Sequence, residues 1–166
     1  MLTGLDIAII LVCTGAIILE TKRGFGRALN DFIALLITIR TAPMLADRME
    51  DAIRFSARPA GNDAAAYAVS FILIGGILLF AGKLIYDTTL VSADTFDSFL
   101  GGIFGIIVAI MLCHSMTRTV ALDAGMKRHP DVIPEVITTS MFGSEFLNFE
   151  IYHRVVYTLH NLGRED

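Results

Sequence analysis

The chemistry this chain could perform is concentrated in a few ionisable side chains set within long apolar runs: Asp6, Asp31, Arg40 and Asp97. A charge within a membrane-spanning helix is costly, so such a group faces a polar path, pairs with an opposite charge or sits at the interface. Asp6, Asp31 and Asp97 each lie within a turn or two of a helix start. There a carboxylate complements the positive end of the helix dipole and can rest among lipid headgroups. Arg40 stands roughly three turns into its run. Its long stem can snorkel toward the surface, or its guanidinium can pair with an acid of a neighbouring helix as a polar pathway or a packing clasp.

Other chemistry is sparse. Cys13 and Cys113 both lie in apolar runs, where cysteine behaves as a small hydrophobe, so neither a disulfide framework nor a metal site is expected. His114, His129, His153 and His160 are scattered, and neither an HExxH pair, a phosphate-binding glycine loop nor a Gly-x-Ser-x-Gly elbow occurs. The GFG at Gly24–Gly26 lacks the strand and helix context of a nucleotide fingerprint. A net charge of −4 without a basic stripe argues against nucleic acid. These residues point away from an enzyme and from any cofactor.

The elements that must carry these residues are membrane helices. Of 166 residues, 54% are apolar and 18% charged, with a mean hydropathy of +0.64, and the apolar ones fall into four runs. A helix needs about 20 mostly apolar residues to cross some 30 Å of hydrocarbon. The expected spans are about 2–21, 28–46, 64–85 and 99–120. The third has no charge before Lys83, and the fourth none before Arg118. The second is interrupted by Asn30, Asp31 and Arg40, and Pro43 is expected to kink or end it. No basic residue precedes the first run and the charged LETKRGFGR follows it, so it reads as a span rather than a cleaved leader.

Short connections complete the plan. KRGFGR joins the first two spans. From Asp47 to Asp63 a mixed-charge segment, its first half suited to a short surface helix, closes on the turn formers Pro59, Gly61 and Asn62. The acidic YDTTLVSADTFDS precedes the last span, where Asp97 or Ser98 is placed to cap. After the membrane domain, 1–120, a linker at 121–139 contains Pro130 and Pro134. At 140–162, Phe142, Phe146, Phe149, Tyr152, Val156 and Leu159 recur every three or four positions as an amphipathic C-terminal helix. That helix either docks a partner or membrane surface or covers the protein's own bundle. The expected fold is therefore all-α: a polytopic membrane protein with four transmembrane helices plus this tail. Four crossings put both termini on one side. Lys22, Arg23 and Arg27 favour a cytoplasmic KRGFGR loop and external termini, while Arg48, Arg54, Arg58, Arg118, Lys127 and Arg128 pull the other way.

In the fourth run Asp97, Gly101, Gly105, Ala109 and Cys113 recur every four residues and line one helix face. Small residues let backbones approach closely in lipid, so this is a helix-packing face, either toward a partner or within the bundle.

With these residues in view the chain resembles the colicin V production protein family, CvpA, bacterial inner-membrane proteins with four spans. The likeness lies in LDIAIILV with Asp6 opening the first span, KRGFGRALN from Lys22 to Asn30, and FDSFLGGIFGIIVAI from Phe96 to Ile110. Asp6, Lys22, Arg23, Gly24, Phe25, Asp97, Gly101 and Gly105 match the family pattern, and the likeness runs from about Leu2 to Val120 and fades in the tail. Glu20 stands where the family usually has glycine, and Val108-Ala109 replaces an arginine-glycine pair. The resemblance implies a role in toxin production or export and in envelope maintenance, with no cofactor. The corresponding expectation is a non-enzymatic scaffold or accessory subunit in the lipid bilayer, assembled with a membrane-protein partner or with itself. The alternative is a channel or transporter component whose polar path involves Arg40 and the membrane aspartates.

Overall fold

The computed structural model describes residues 2–49, 52–54, 56–89, 96–127, 129 and 133–148. Within them the chain forms α1 (Gly4–Arg23), α2 (Phe25–Met49), α3 (Pro59–Thr89), α4 (Asp97–Asp123) and two short pieces, α5 (Glu135–Thr138) and α6 (Gly143–Asn148). The first four are long and apolar enough to cross a membrane. The protein is a polytopic all-α membrane protein.

Several helix ends have local reasons. Thr3 and Asp6 form a capping box at the start of α1: the Thr3 side chain accepts from the Asp6 N–H, and the Asp6 carboxylate accepts from the Thr3 N–H at 2.8 Å. α1 stops at Gly24, whose φ of +84° suits glycine alone and whose N–H donates back to the Glu20 carbonyl. Pro59 occupies the first position of α3, where its missing N–H costs nothing. At the end of α4, Gly125 (φ +93°) reverses the chain while Met126 N–H donates to the Ala121 carbonyl.

Several boundaries differ from the sequence expectation. The KRGFGR loop contracts to Gly24, with Lys22 and Arg23 closing α1 and Phe25 opening α2. α2 runs on through Pro43 to Met49, because Ala42 and Ala46 are buried in a cluster with Ala66 and Tyr67 of α3, and that packing outweighs the lost hydrogen bond. The turn formers Pro59, Gly61 and Asn62 begin α3 instead of a loop. Asn62 accepts from the Ser56 N–H and donates to the Ser56 carbonyl, which closes the preceding turn. α4 runs into the expected linker as far as Asp123, and a helical turn, α5, started by Pro134, follows within its described residues. Of the tail helix expected at 140–162, residues 143–148 are helical as α6, and 149–162 lie outside the described residues.

α4 is the organising helix. Its main partner is α1, it also packs on α2 and α3, and α6 returns to lie against it; α2 and α3 form the other close pair. Outward, α1 presents Ile7, Leu11 and Ile18 and α3 presents Ile72, Ile77, Phe80 and Ile85, all exposed. In water such an apolar exterior would drive association; in a bilayer it is the surface that meets acyl chains.

Candidate functional site

Two groups of interacting polar residues lie at the two ends of the bundle. At the α1–α2 junction, Asp97 of α4 reaches across to accept a hydrogen bond from the Phe25 N–H at 2.9 Å. It thereby satisfies a donor that the start of α2 would otherwise leave unpaired. A methyl group on Gly24 would collide with this carboxylate, so glycine is required there both for its positive φ and for the close approach. The family-motif residues Gly24 and Phe25 and the Asp97 cap are thus one construction, built from parts 72 residues apart.

The glycine face continues it. A methyl on Gly101 would stand 2.7 Å from the Glu20 carbonyl oxygen, and one on Gly105 would stand 3.2 Å from the Ile17 Cα. Gly101, Gly105 and Ala109 are all buried. The face packs inside the bundle on α1, which occupies it and removes it from the surfaces open to a partner.

Beside this seam lies a charged group. The Arg23 guanidinium donates to Asp31 at 3.1 Å and reaches Glu20 at 3.5 Å. Arg27 sits over the Tyr86 ring at 5.7 Å. Glu20 is 2% exposed, and its Oε2 has no hydrogen-bond partner among the described residues. Arg23, Arg27, Asn30, Asp31 and Lys83 border a cavity of about 250 Å³. Asp31 therefore belongs to this end, paired with Arg23, while Lys22 is exposed.

At the opposite end Asp6 is fully buried. Its two oxygens accept from the Thr3 N–H and hydroxyl, from the Ser140 hydroxyl at 2.6 Å and from the Phe142 N–H at 3.2 Å. The Ser140 hydroxyl in turn accepts from the Gly143 N–H at the start of α6. Ile137 and Leu147 are buried with Leu5, Ile9, Cys113 and Ala121. His114 Nδ1 lies 2.8 Å from the Phe146 carbonyl. Asp6 thus latches the described part of the tail onto the start of α1, and α6 covers the protein's own bundle.

Arg40 joins neither group. It is exposed on α2 and lines an outer groove with Arg118. Among the described residues no carboxylate pairs with it, so the clasp considered from the sequence is not formed there. Two further features escaped the sequence reading. The Sγ atoms of Cys13 and Cys113 lie 3.2 Å apart across the α1–α4 seam, a pairing visible only once the helix register is set. Glu20 departs from the family pattern, and its place between apolar Leu19 and basic Lys22-Arg23 is the signal the sequence carries for it.

The family model described as colicin V production protein matches residues 5–149, most of the chain. The protein belongs to that family. The match extends past the membrane helices through α5 and α6, farther into the tail than the sequence resemblance reached. No curated protein and no solved structure matches the chain. For a colicin V production protein, the capped α1–α2 junction and the tail latch both fall within the matched region.

Proposed function

We propose that this protein is a non-enzymatic scaffold or accessory subunit of the bacterial inner membrane, serving toxin production or export and envelope maintenance. One observation carries the reading: the motif side chains are engaged in holding the bundle together. Asp97 caps α2, Asp6 latches the tail and the glycines seat α4 on α1. What the chain offers to others is then its apolar exterior on α1 and α3. Partners would be a membrane protein or a second copy, meeting it within the bilayer.

Photocrosslinking residues placed at Leu11, Ile72 and Phe80 in native membranes test this. A discrete adduct with one protein, or with a second copy, supports the scaffold. Adducts with lipid alone at all three positions oppose it.

A second reading, a channel or transporter component, draws on the buried Glu20 carboxylate beside the Arg23–Asp31 pair. In that case the path would not include Arg40, which lines a different cavity from Asp31. Proton flux into liposomes holding the protein, abolished by Glu20→Gln, would favour it; tight liposomes would sink it.

A further inference from the structure

Arg40 and Arg118 come from helices two connections apart, yet they line the same outer groove, a cavity of about 680 Å³. Apart from Thr41 its other walls are apolar, with Leu36, Ile37 and Met44 among them, and no carboxylate lines it among the described residues. Neither arginine forms an ion pair among the described residues. Arg118 rests over the Tyr67 ring at 5.3 Å and also borders a second cavity lined by Asp47 and Asp63 on its other side. Among the described residues no acidic group shares the groove with Arg40. Pro43, also in the groove, offers no N–H to the carbonyl four residues before it, so the local backbone is more polar than in a regular helix.

Depth makes this arrangement unusual. At 1.5 Å per residue Arg40 lies roughly 14 Å from the Met49 end of α2, and Arg118 roughly 8 Å from the Asp123 end of α4. Arg40, exposed at that depth with no carboxylate paired to it among the described residues, demands a counter-charge, and Arg118, half-buried over Tyr67, borders the same groove. Guanidinium binds phosphate oxygens in a matching fork geometry. A lipid supplies both an anionic headgroup and acyl chains for the apolar wall.

We propose that the groove is a binding site for one anionic phospholipid, its phosphate held between Arg40 and Arg118 and an acyl chain lying along Leu36, Ile37 and Met44. The occupant is a lipid rather than a free anion because the groove opens on the membrane-facing surface of α2, where Leu36, Ile37 and Met44 are exposed.

The test is native mass spectrometry of the full chain from mixed micelles containing phosphatidylglycerol or phosphatidylcholine. The wild type should retain one phosphatidylglycerol in preference to phosphatidylcholine. Arg40→Gln and Arg118→Gln should each weaken retention roughly five-fold, the factor one basic side chain contributes beside an anionic lipid, and Arg40→Lys should keep most of it. Arg54→Gln, an exposed arginine outside the groove, should leave retention unchanged. Arg40 is exposed, so its variants keep the fold, which a thermal melt verifies, and they decide the matter even if Arg118→Gln fails to fold. Equal retention of both lipids, an equal loss with Arg54→Gln, or displacement of the lipid by millimolar inorganic phosphate would overturn the proposal.

Discussion

Replacing Gly101 by alanine gives the sharpest test of the α1–α4 seam. The new methyl would sit 2.7 Å from the Glu20 carbonyl oxygen, 3.0 Å from the Gly24 carbonyl carbon and 3.1 Å from the Gly24 Cα. All three are backbone atoms, so no side chain can rotate away. Ordinary contact begins near 3.4 Å, so α4 must withdraw from α1 by roughly 0.7 Å. A gap of that size forfeits a quarter to a half of each dispersion contact along the seam, and α1–α4 is the most extensive helix interface among the described residues. The withdrawal also stretches the Asp97 cap on Phe25, 2.9 Å at present. Overpacking of this kind costs about 1–3 kcal/mol, partly offset by up to ~1 kcal/mol of helix propensity gained on replacing glycine. Gly76→Ala is the matched control: a methyl there meets nothing within 4 Å, so it gains propensity without a clash. Reversible unfolding in bicelles should rank the variants Gly76→Ala at or above wild type and Gly101→Ala about 1–2 kcal/mol below it. The order should persist in a protein that is monomeric in detergent. If Gly101→Ala matches Gly76→Ala when monomeric, and falls only where the protein self-associates, then the glycine face belongs to an intermolecular contact and the seam described above is wrong.

Four other outcomes follow from the same contacts. Asp6→Asn removes the charge that binds Ser140 and Phe142; since a hydrogen bond to a charged group contributes about 1.5–3 kcal/mol, hydrogen exchange at 134–148 should rise while the four spans stay protected. Asp97→Ala should cost about 1 kcal/mol by uncapping α2, and Asp97→Asn, which keeps an acceptor, distinctly less; equal losses would argue against a capping role. A membrane-permeant oxidant should join Cys13 to Cys113 within one chain, seen as a reducible shift in gel mobility that Cys13→Ser abolishes; no shift would mean the two thiols do not meet. A reporter fused after Asp166 should be active outside the cytoplasm, the orientation that Lys22, Arg23 and Arg27 favour, and a cytoplasmic reporter would reverse it.

The sequence by itself determined that this is a polytopic α-helical membrane protein, how many spans it has and which family pattern it carries. Those properties depend on local runs: apolar stretches of crossing length, and short motifs readable in order. It also showed that Gly101, Gly105 and Ala109 share one face, because helical periodicity alone dictates that. Which helix receives the face could not be read, since in lipid every span is apolar and hydrophobicity no longer distinguishes neighbours. The tertiary structure decided that α4 lies on α1, and with that choice the rest followed. Asp97, placed by its sequence as a cap for its own helix, caps α2. Asp6, placed as a dipole partner, holds the tail through Ser140 from 134 positions away. Cys13 and Cys113, separately unremarkable, become neighbours, and Arg40, weighed as a buried clasp, faces outward beside Arg118. Pro43 shows the same division: locally it disfavours helix, but the burial of Ala42 and Ala46 against α3 prevails. Long-range pairings of this kind depend on helix register and rotation, which no short run of residues encodes.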